Sequence, residues 1–89
     1  MERTGVLTIG VVERINQDRI AIWVEEQSAY TVIALQSTAQ IEQGDVMCWR
    51  DPSSTGSCNY WNATKGWNAE VSVQAQDVAI DLLGQHLNW

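Results

Sequence analysis

Arg19-Ile20-Ala21-Ile22-Trp23-Val24-Glu25, then the polar turn Glu26-Gln27-Ser28, then Ala29-Tyr30-Thr31-Val32-Ile33-Ala34-Leu35, decide how this chain is read. In the first run Ile20, Ile22 and Val24 share one face and Ala21 and Trp23 share the other, the two-residue period of a strand. Both faces are apolar, which implies a strand curled into a barrel or covered by another layer. The second run is rich in β-forming residues. The short turn between the runs makes an antiparallel hairpin that places Trp23 within reach of Tyr30.

Upstream, residues 5–15 form the preceding strand. Leu7, Ile9 and Val11 alternate onto one face before Val12 breaks the phase, so a bulge or bend is expected near Gly10. Asn16-Gln17-Asp18 is the turn into residues 19–25. Three strands at 5–15, 19–25 and 29–35 thus form a meander. Downstream, the polar segment 36–43 is anchored by Ile41, and Gln43-Gly44-Asp45 turns into a strand at 46–50, where Met47 and Trp49 lie opposite Val46 and Cys48.

The remainder is read as a long loop, a strand and a helix. Residues 50–66, bracketed by Trp49 and Trp67, hold the only proline, Cys58, Tyr60 and Trp61, and are expected as an aromatic loop. Alternation resumes with Trp67, Ala69 and Val71, giving a fifth strand at 67–72. Ala75, Val78, Ala79, Leu82, Leu83 and His86 then follow the stripe of an amphipathic helix, expected over 73–87 and capped by Ser72 or, if shorter, by Asp77. A rival reading makes residues 78–82 a sixth strand. The expected fold is a mainly β (β+α) single domain over 1–89: a small, partly open antiparallel barrel of about five strands with one C-terminal helix across a mouth or edge.

The segment 14–26, with Arg19-Ile20, Ala21 and Val24-Glu25, together with Gly44-Asp45-Val46, resembles an uncharacterised bacterial small β-barrel family, OB-like in outline. That family pairs a D-R-I-x-x-D-x-A-x-x-x-V-E hairpin with a later E-G-D-V turn and a C-terminal helix. The likeness covers roughly half the chain. It departs at Glu13, where the pattern has Asp, and it excludes the stretch Trp49–Trp67. It implies a fold and no activity. Nucleic-acid binding by OB-like barrels is an analogy of fold alone.

Charge argues against that analogy. Eleven acidic and five basic side chains give a net charge of −6, and Arg3, Arg14, Arg19, Arg50 and Lys65 are scattered, whereas a phosphate-binding surface gathers its cations. Direct nucleic-acid binding and docking on an anionic membrane are disfavoured. No apolar run reaches the ~18 residues of a membrane span, and the first residues lack a secretory pattern. The cytoplasm is therefore the expected compartment, with Cys48 and Cys58 as free thiols, or paired if the protein is secreted.

Catalytic chemistry finds no constellation here. His86, the single histidine, falls on the helical stripe, and Cys48 alternates within a strand, as a small core residue does. Three potential ligands, Cys48, Cys58 and His86, have no recognised metal spacing. No cofactor, metal or catalytic residue is assigned. The aromatic loop is the better candidate, because long loops in compact domains are commonly functional and Trp and Tyr are favoured at interfaces. Tyr60, Trp61 and Asn62, with Arg50 and Lys65 as neighbouring cations, are the expected binding residues for a protein partner or small ligand. Trp23, Tyr30 and Trp89 are the expected surface of a homodimer. A non-enzymatic binding module leads; an acidic inhibitor or mimic acting on a basic partner, such as a nucleic-acid enzyme, and carried by a mobile or phage genome, is the alternative, and a thiol-dependent enzyme the further one.

Overall fold

A computed structural model of the chain describes residues 6–36, 40–51 and 56–87. Six strands, β1 (Val6–Asn16), β2 (Arg19–Val24), β3 (Ala29–Leu35), β4 (Val46–Asp51), β5 (Gly56–Asn62) and β6 (Trp67–Val78), close into an antiparallel barrel in the order β1-β2-β3-β6-β5-β4. Two three-stranded meanders, β1-β2-β3 and β4-β5-β6, are joined by the pairs β1–β4 and β3–β6. The seam between β4 and β5 is thin: among the described residues only Met47↔Asn62 and Cys48↔Trp61 are in register. A barrel this small is filled by its own side chains.

Two apolar clusters result. The barrel interior holds Ile20, Ile22 and Val24 of β2, Met47 and Trp49 of β4, and Tyr60 of β5, among others. Trp49 and Tyr60 stack face to face, with centroids 4.3 Å apart and planes 7° from parallel. The second cluster lies on the outer face of β2, β3 and β6, where Ala21, Tyr30, Val32 and Val78 are covered by Leu83 and Leu87. Those two belong to the C-terminal segment, a 3-10 turn at Ile80–Leu82 followed by the one-turn helix α1 (Leu83–His86). Asn16 ties this segment down by donating its side-chain N–H to the Leu87 carbonyl. The apolar character of both faces of β2 is thereby explained: one face lines the barrel and the other lies under a covering layer.

The barrel departs from the sequence expectation in three places. It is closed instead of partly open, because a sixth strand, β5, runs through the supposed loop over 50–66. Its inward set is Cys58, Tyr60 and Asn62, a thiol, a phenol and an amide that make no apolar alternation. The strand expected at 67–72 continues to Val78, and the helix expected over 73–87 is reduced to Leu83–His86. Residues 78–82 are not a sixth strand either, since β6 ends at Val78. The reason lies in the β3–β6 register, which slips between Ile33↔Val73 and Val32↔Ala75, and again between Val32↔Ala75 and Tyr30↔Val78. Each slip inserts one extra residue into β6, as a bulge does. Val71 and Val73 therefore face the barrel while Ala75 and Val78 face the outer cluster. Asp77, with φ of 55°, marks the second bulge and is incompatible with a helix interior.

The third departure concerns β1. Its register with β2 slips between Val12 and Arg14, beyond Gly10. Gly10 answers a different constraint. A Cβ there would lie 2.5 Å from the Ile22 Cγ2 and 2.9 Å from the Trp23 carbonyl oxygen, with the Trp49 ring at 3.2 Å. The interior set of β1 is Thr8, Gly10 and Val12, all buried, and so Leu7, Ile9 and Val11 point outward, 52%, 53% and 38% exposed.

Gly10→Ala is expected to lower the unfolding free energy by about 1–3 kcal/mol through overpacking, since a backbone oxygen cannot yield as a side chain can. Urea denaturation at unchanged far-UV circular dichroism measures it. A variant as stable as the parent would mean that the barrel does not pack this tightly at position 10.

Candidate functional site

Strand alternation distributes the expected binding residues to opposite sides of the wall. On β5, Trp61 points outward and is 43% exposed, while Tyr60 and Asn62 point inward and are fully buried. Tyr60 belongs to the core through its stack on Trp49. Arg50 is exposed on the outer face of β4.

Asn62 and Lys65 are engaged in holding the chain together. The side chain of Asp45, itself buried, is their common acceptor. Its Oδ2 takes hydrogen bonds from Asn62 Nδ2 (2.9 Å) and from the Glu42 backbone N–H (3.0 Å), and Oδ1 faces Lys65 Nζ at 3.4 Å. Asn62 Oδ1 in turn accepts the Lys65 backbone N–H at 2.9 Å, and Lys65 Nζ reaches Glu42 Oε1 at 3.1 Å. Thr64 Oγ1 accepts the Val46 N–H at 2.9 Å, and Trp67 Nε1 donates to the Gln40 carbonyl at 3.3 Å. This polar knot clamps the segment entering β4 against the β5–β6 turn. Gly44 (φ 95°) and Gly66 (φ 82°) provide the left-handed conformations that the two turns need. Burial pushes the Asp45 carboxyl up, but the Asn62, Glu42 and Lys65 hydrogen bonds and the Lys65 charge outweigh it and hold the group below its ordinary 3.8. The carboxylates of Glu42 and Asp45 raise Lys65 against the opposing effect of its own desolvation.

The expected dimer surface also divides. Trp23 is half-buried and meets Tyr30 edge to face at 5.1 Å, as the hairpin reading requires. Tyr30 itself is buried in the outer cluster, because β3 passes beneath the C-terminal segment. Its hydroxyl donates to Glu13 Oε1 at 2.6 Å, and burial, then the Glu13 hydrogen bond and charge, push its pKa up to about 12 against the lowering effect of Arg14. Trp89 lies outside the described residues.

A different surface emerges on the opposite wall. Cys48 pairs with Ile9 on one side and Trp61 on the other, and Val11 pairs with both Val46 and Trp23. Side chains in register across adjacent strands share a face, so Leu7, Ile9, Val11, Cys48 and Trp61 form one outward apolar field with Arg50 at its margin. Beside it lies a groove of about 350 Å³ lined by Leu7, Ile9, Val11, Trp23, Glu25 and Glu26. The alternation of Leu7, Ile9 and Val11 is visible in the sequence; which way it points is set by the close packing of Ile22, the Trp23 carbonyl and Trp49 around Gly10.

Cys48 and Cys58 are both free thiols; Cys48 stands on the outer wall and not in the core as expected, because Met47 and Trp49 on either side of it take the inward positions of β4, and Cys58 faces the core, where burial raises its pKa. Among the described residues no group of three or more His, Cys, Asp or Glu side chains is placed to hold a metal ion, and no helix is long and apolar enough to cross a membrane. His86 falls in α1, but its side chain is not among those described. Comparison with known proteins gives no match to a family model, to a curated protein or to a solved structure.

Asn62→Ala is expected to destabilise the fold by about 1–3 kcal/mol, because it removes one donor to the buried Asp45 carboxylate and the acceptor for the Lys65 N–H. A lowered carboxyl pKa contributes stability that is present above the ordinary 3.8 and is lost as pH falls through the folded-state value. Asp45→Asn is therefore expected to be the less stable protein at neutral pH, with a shallower loss of stability below pH 3.8. Urea midpoints of parent and variants across that range measure both effects; parallel acid limbs would remove Asp45 as a source of the acid sensitivity.

Proposed function

We propose that this chain is a non-enzymatic protein-binding module that engages its partner through the outer wall of β1, β4 and β5. The observation that carries this reading is the inverted phase of β1. Threonine and glycine occupy its inward positions 8 and 10, while Leu7 and Ile9, each more than half exposed, face solvent. Folding draws little from side chains so placed. Contiguous exposed apolar area of this kind is characteristic of interaction surfaces, and Trp61 adds an aromatic of the type that anchors them. Of the loop residues expected to bind, Trp61 and Arg50 stay in the proposal; Tyr60, Asn62 and Lys65 support it from within the scaffold.

The acidic-mimic reading is supported by one observation, the exposed pair Glu25 and Glu26 on the rim of the groove beside the wall. In the present proposal those charges select a basic partner without themselves being the binding energy.

The test is comparative co-purification from host lysate. Ile9→Glu and Trp61→Glu replace outward side chains, so each is expected to keep the parent melting temperature within a few degrees, as surface substitutions do. Both are expected to lose the same retained proteins. Retention of an unchanged set by both variants would sink the wall as a binding surface.

A further inference from the structure

We propose that the groove beside the apolar wall receives an extended, basic segment of a partner protein, which adds to the barrel as a strand along the N-terminal half of β1. The inference rests on the wall being a binding surface and names what that surface takes.

The backbone of β1 supplies the first argument. Val12 donates its N–H to the Asp45 carbonyl (2.9 Å) and accepts the Gly44 N–H (2.8 Å), so its backbone groups face the β4 side. Hydrogen-bonding direction alternates along an antiparallel strand. Thr8 and Gly10 therefore also face β4, whereas Leu7 and Ile9 direct their N–H and C=O groups to the opposite edge. On that edge the ladder with β2 begins only at Val11↔Trp23. β2 ends at Val24, and the chain leaves as the 3-10 turn Glu25–Gln27. Among the described residues no strand pairs with Leu7 or Ile9 there, and the groove runs along this same edge. A strand edge with its donors and acceptors presented beside an apolar groove is the template used in strand addition.

Charge and size choose the occupant. Glu25 and Glu26 form the far rim, so an incoming segment gains from lysine or arginine and loses from carboxylates. A second copy of this chain would bring a net charge of −6 and its own glutamates to the same rim. The exposed apolar side chains of the wall are few, Leu7, Ile9, Val11 and Trp61, an area on the order of a few hundred Å², short of the ~800 Å² per partner of a standard stable interface, and suit a slender segment better than a second folded body. Alternating residues of such a segment would lie over Leu7, Ile9 and Trp23, with the basic ones toward the glutamates.

The test uses short synthetic peptides alternating valine with lysine, titrated into the full chain and followed by amide chemical shifts. The expected result is saturable binding that perturbs Leu7 to Val11 and Trp23. Methylating the backbone nitrogens of the peptide that face β1 should weaken binding by about tenfold or more, the worth of one or two lost hydrogen bonds. Ile9→Pro removes the edge donor while leaving the β4 side of the ladder intact, and is expected to do the same; Glu25→Gln with Glu26→Gln weakens binding without touching the sheet. Equal binding of the methylated peptide, equal binding of a valine–glutamate peptide, or no binding at all would overturn the proposal. A concentration-dependent dimer that occupies this edge would overturn it in favour of a second copy. Trp61 lies across β4 from the groove. Co-purification that depends on Trp61 while peptide binding fails leaves the wall standing and removes the strand. Peptide binding with co-purification indifferent to Trp61 and Ile9 removes the wall.

Discussion

Trp49 and Tyr60 meet face to face inside the barrel at the one seam where the backbone holds least. Among the described residues β4 and β5 share two register pairs, so closure there relies on side chains more than on ladder hydrogen bonds. A stacked aromatic pair contributes about 0.5–1.5 kcal/mol beyond the area it buries, and this one spans that seam. The Trp49 ring also packs beside Gly10, where the Ile22 Cγ2 and the Trp23 carbonyl oxygen leave no room for a methyl group. With Thr8 and Gly10 inside, the apolar residues of β1 must face outward. The stack thus bears on the closure of the sheet, and the close packing around Gly10 bears on the character of its outer wall.

The other wall shows what happens when outward apolar residues are covered. Two bulges in β6 turn Ala75 and Val78 out of the barrel, and the short C-terminal segment places Leu83 and Leu87 over them together with Ala21, Tyr30 and Val32. That segment is only a 3-10 turn and one turn of helix, so it covers β2, β3 and β6. Helices so short have little stability of their own; the buried leucines and the Asn16 bond to Leu87 hold this one in place. One outer face is therefore completed by the chain itself, while on the face of β1, β4 and β5 Leu7, Ile9, Val11 and Trp61 stay exposed.

These two features also explain how much of the structure could be read from the residues. The meander of β1, β2 and β3, the two faces of β2, the pairing of Trp23 with Tyr30 and the shared face of Met47 and Trp49 follow from alternation in apolar runs; that Met47 and Trp49, and not Cys48, take the core side of β4 does not. β5 does not follow, because its inward positions mix Cys58, Tyr60 and Asn62. The C-terminal end misleads for a geometric reason: a bulge adds one residue between successive outward positions, so Ala75 and Val78 acquire a spacing of three that imitates a helix. The candidate site shows the same limit. Asn62 and Lys65 have the donors a ligand would need, but the sequence does not say that Asp45, seventeen residues before Asn62, takes them. Trp61 was legible as a candidate; Leu7 and Ile9 were legible as a pair, and their direction was not.

The energetics of the uncovered wall bear on what kind of binding it can support. An apolar patch on the order of 300 Å² is worth roughly 7 kcal/mol at ~25 cal/mol per Å² buried. Association of two bodies costs about 4–15 kcal/mol in lost translational and rotational freedom, so the patch alone supports weak binding at best. Directional contacts must supply the rest. The barrel offers them beside the wall where Leu7 and Ile9 turn their backbone groups away from β4 and β2 has not yet begun to pair. Each hydrogen bond made there adds about 1 kcal/mol, and the exposed glutamates of the adjoining turn add a preference of sign. The patch provides area without direction and the strand edge provides direction without area, and the register of β1 puts both on the same few residues.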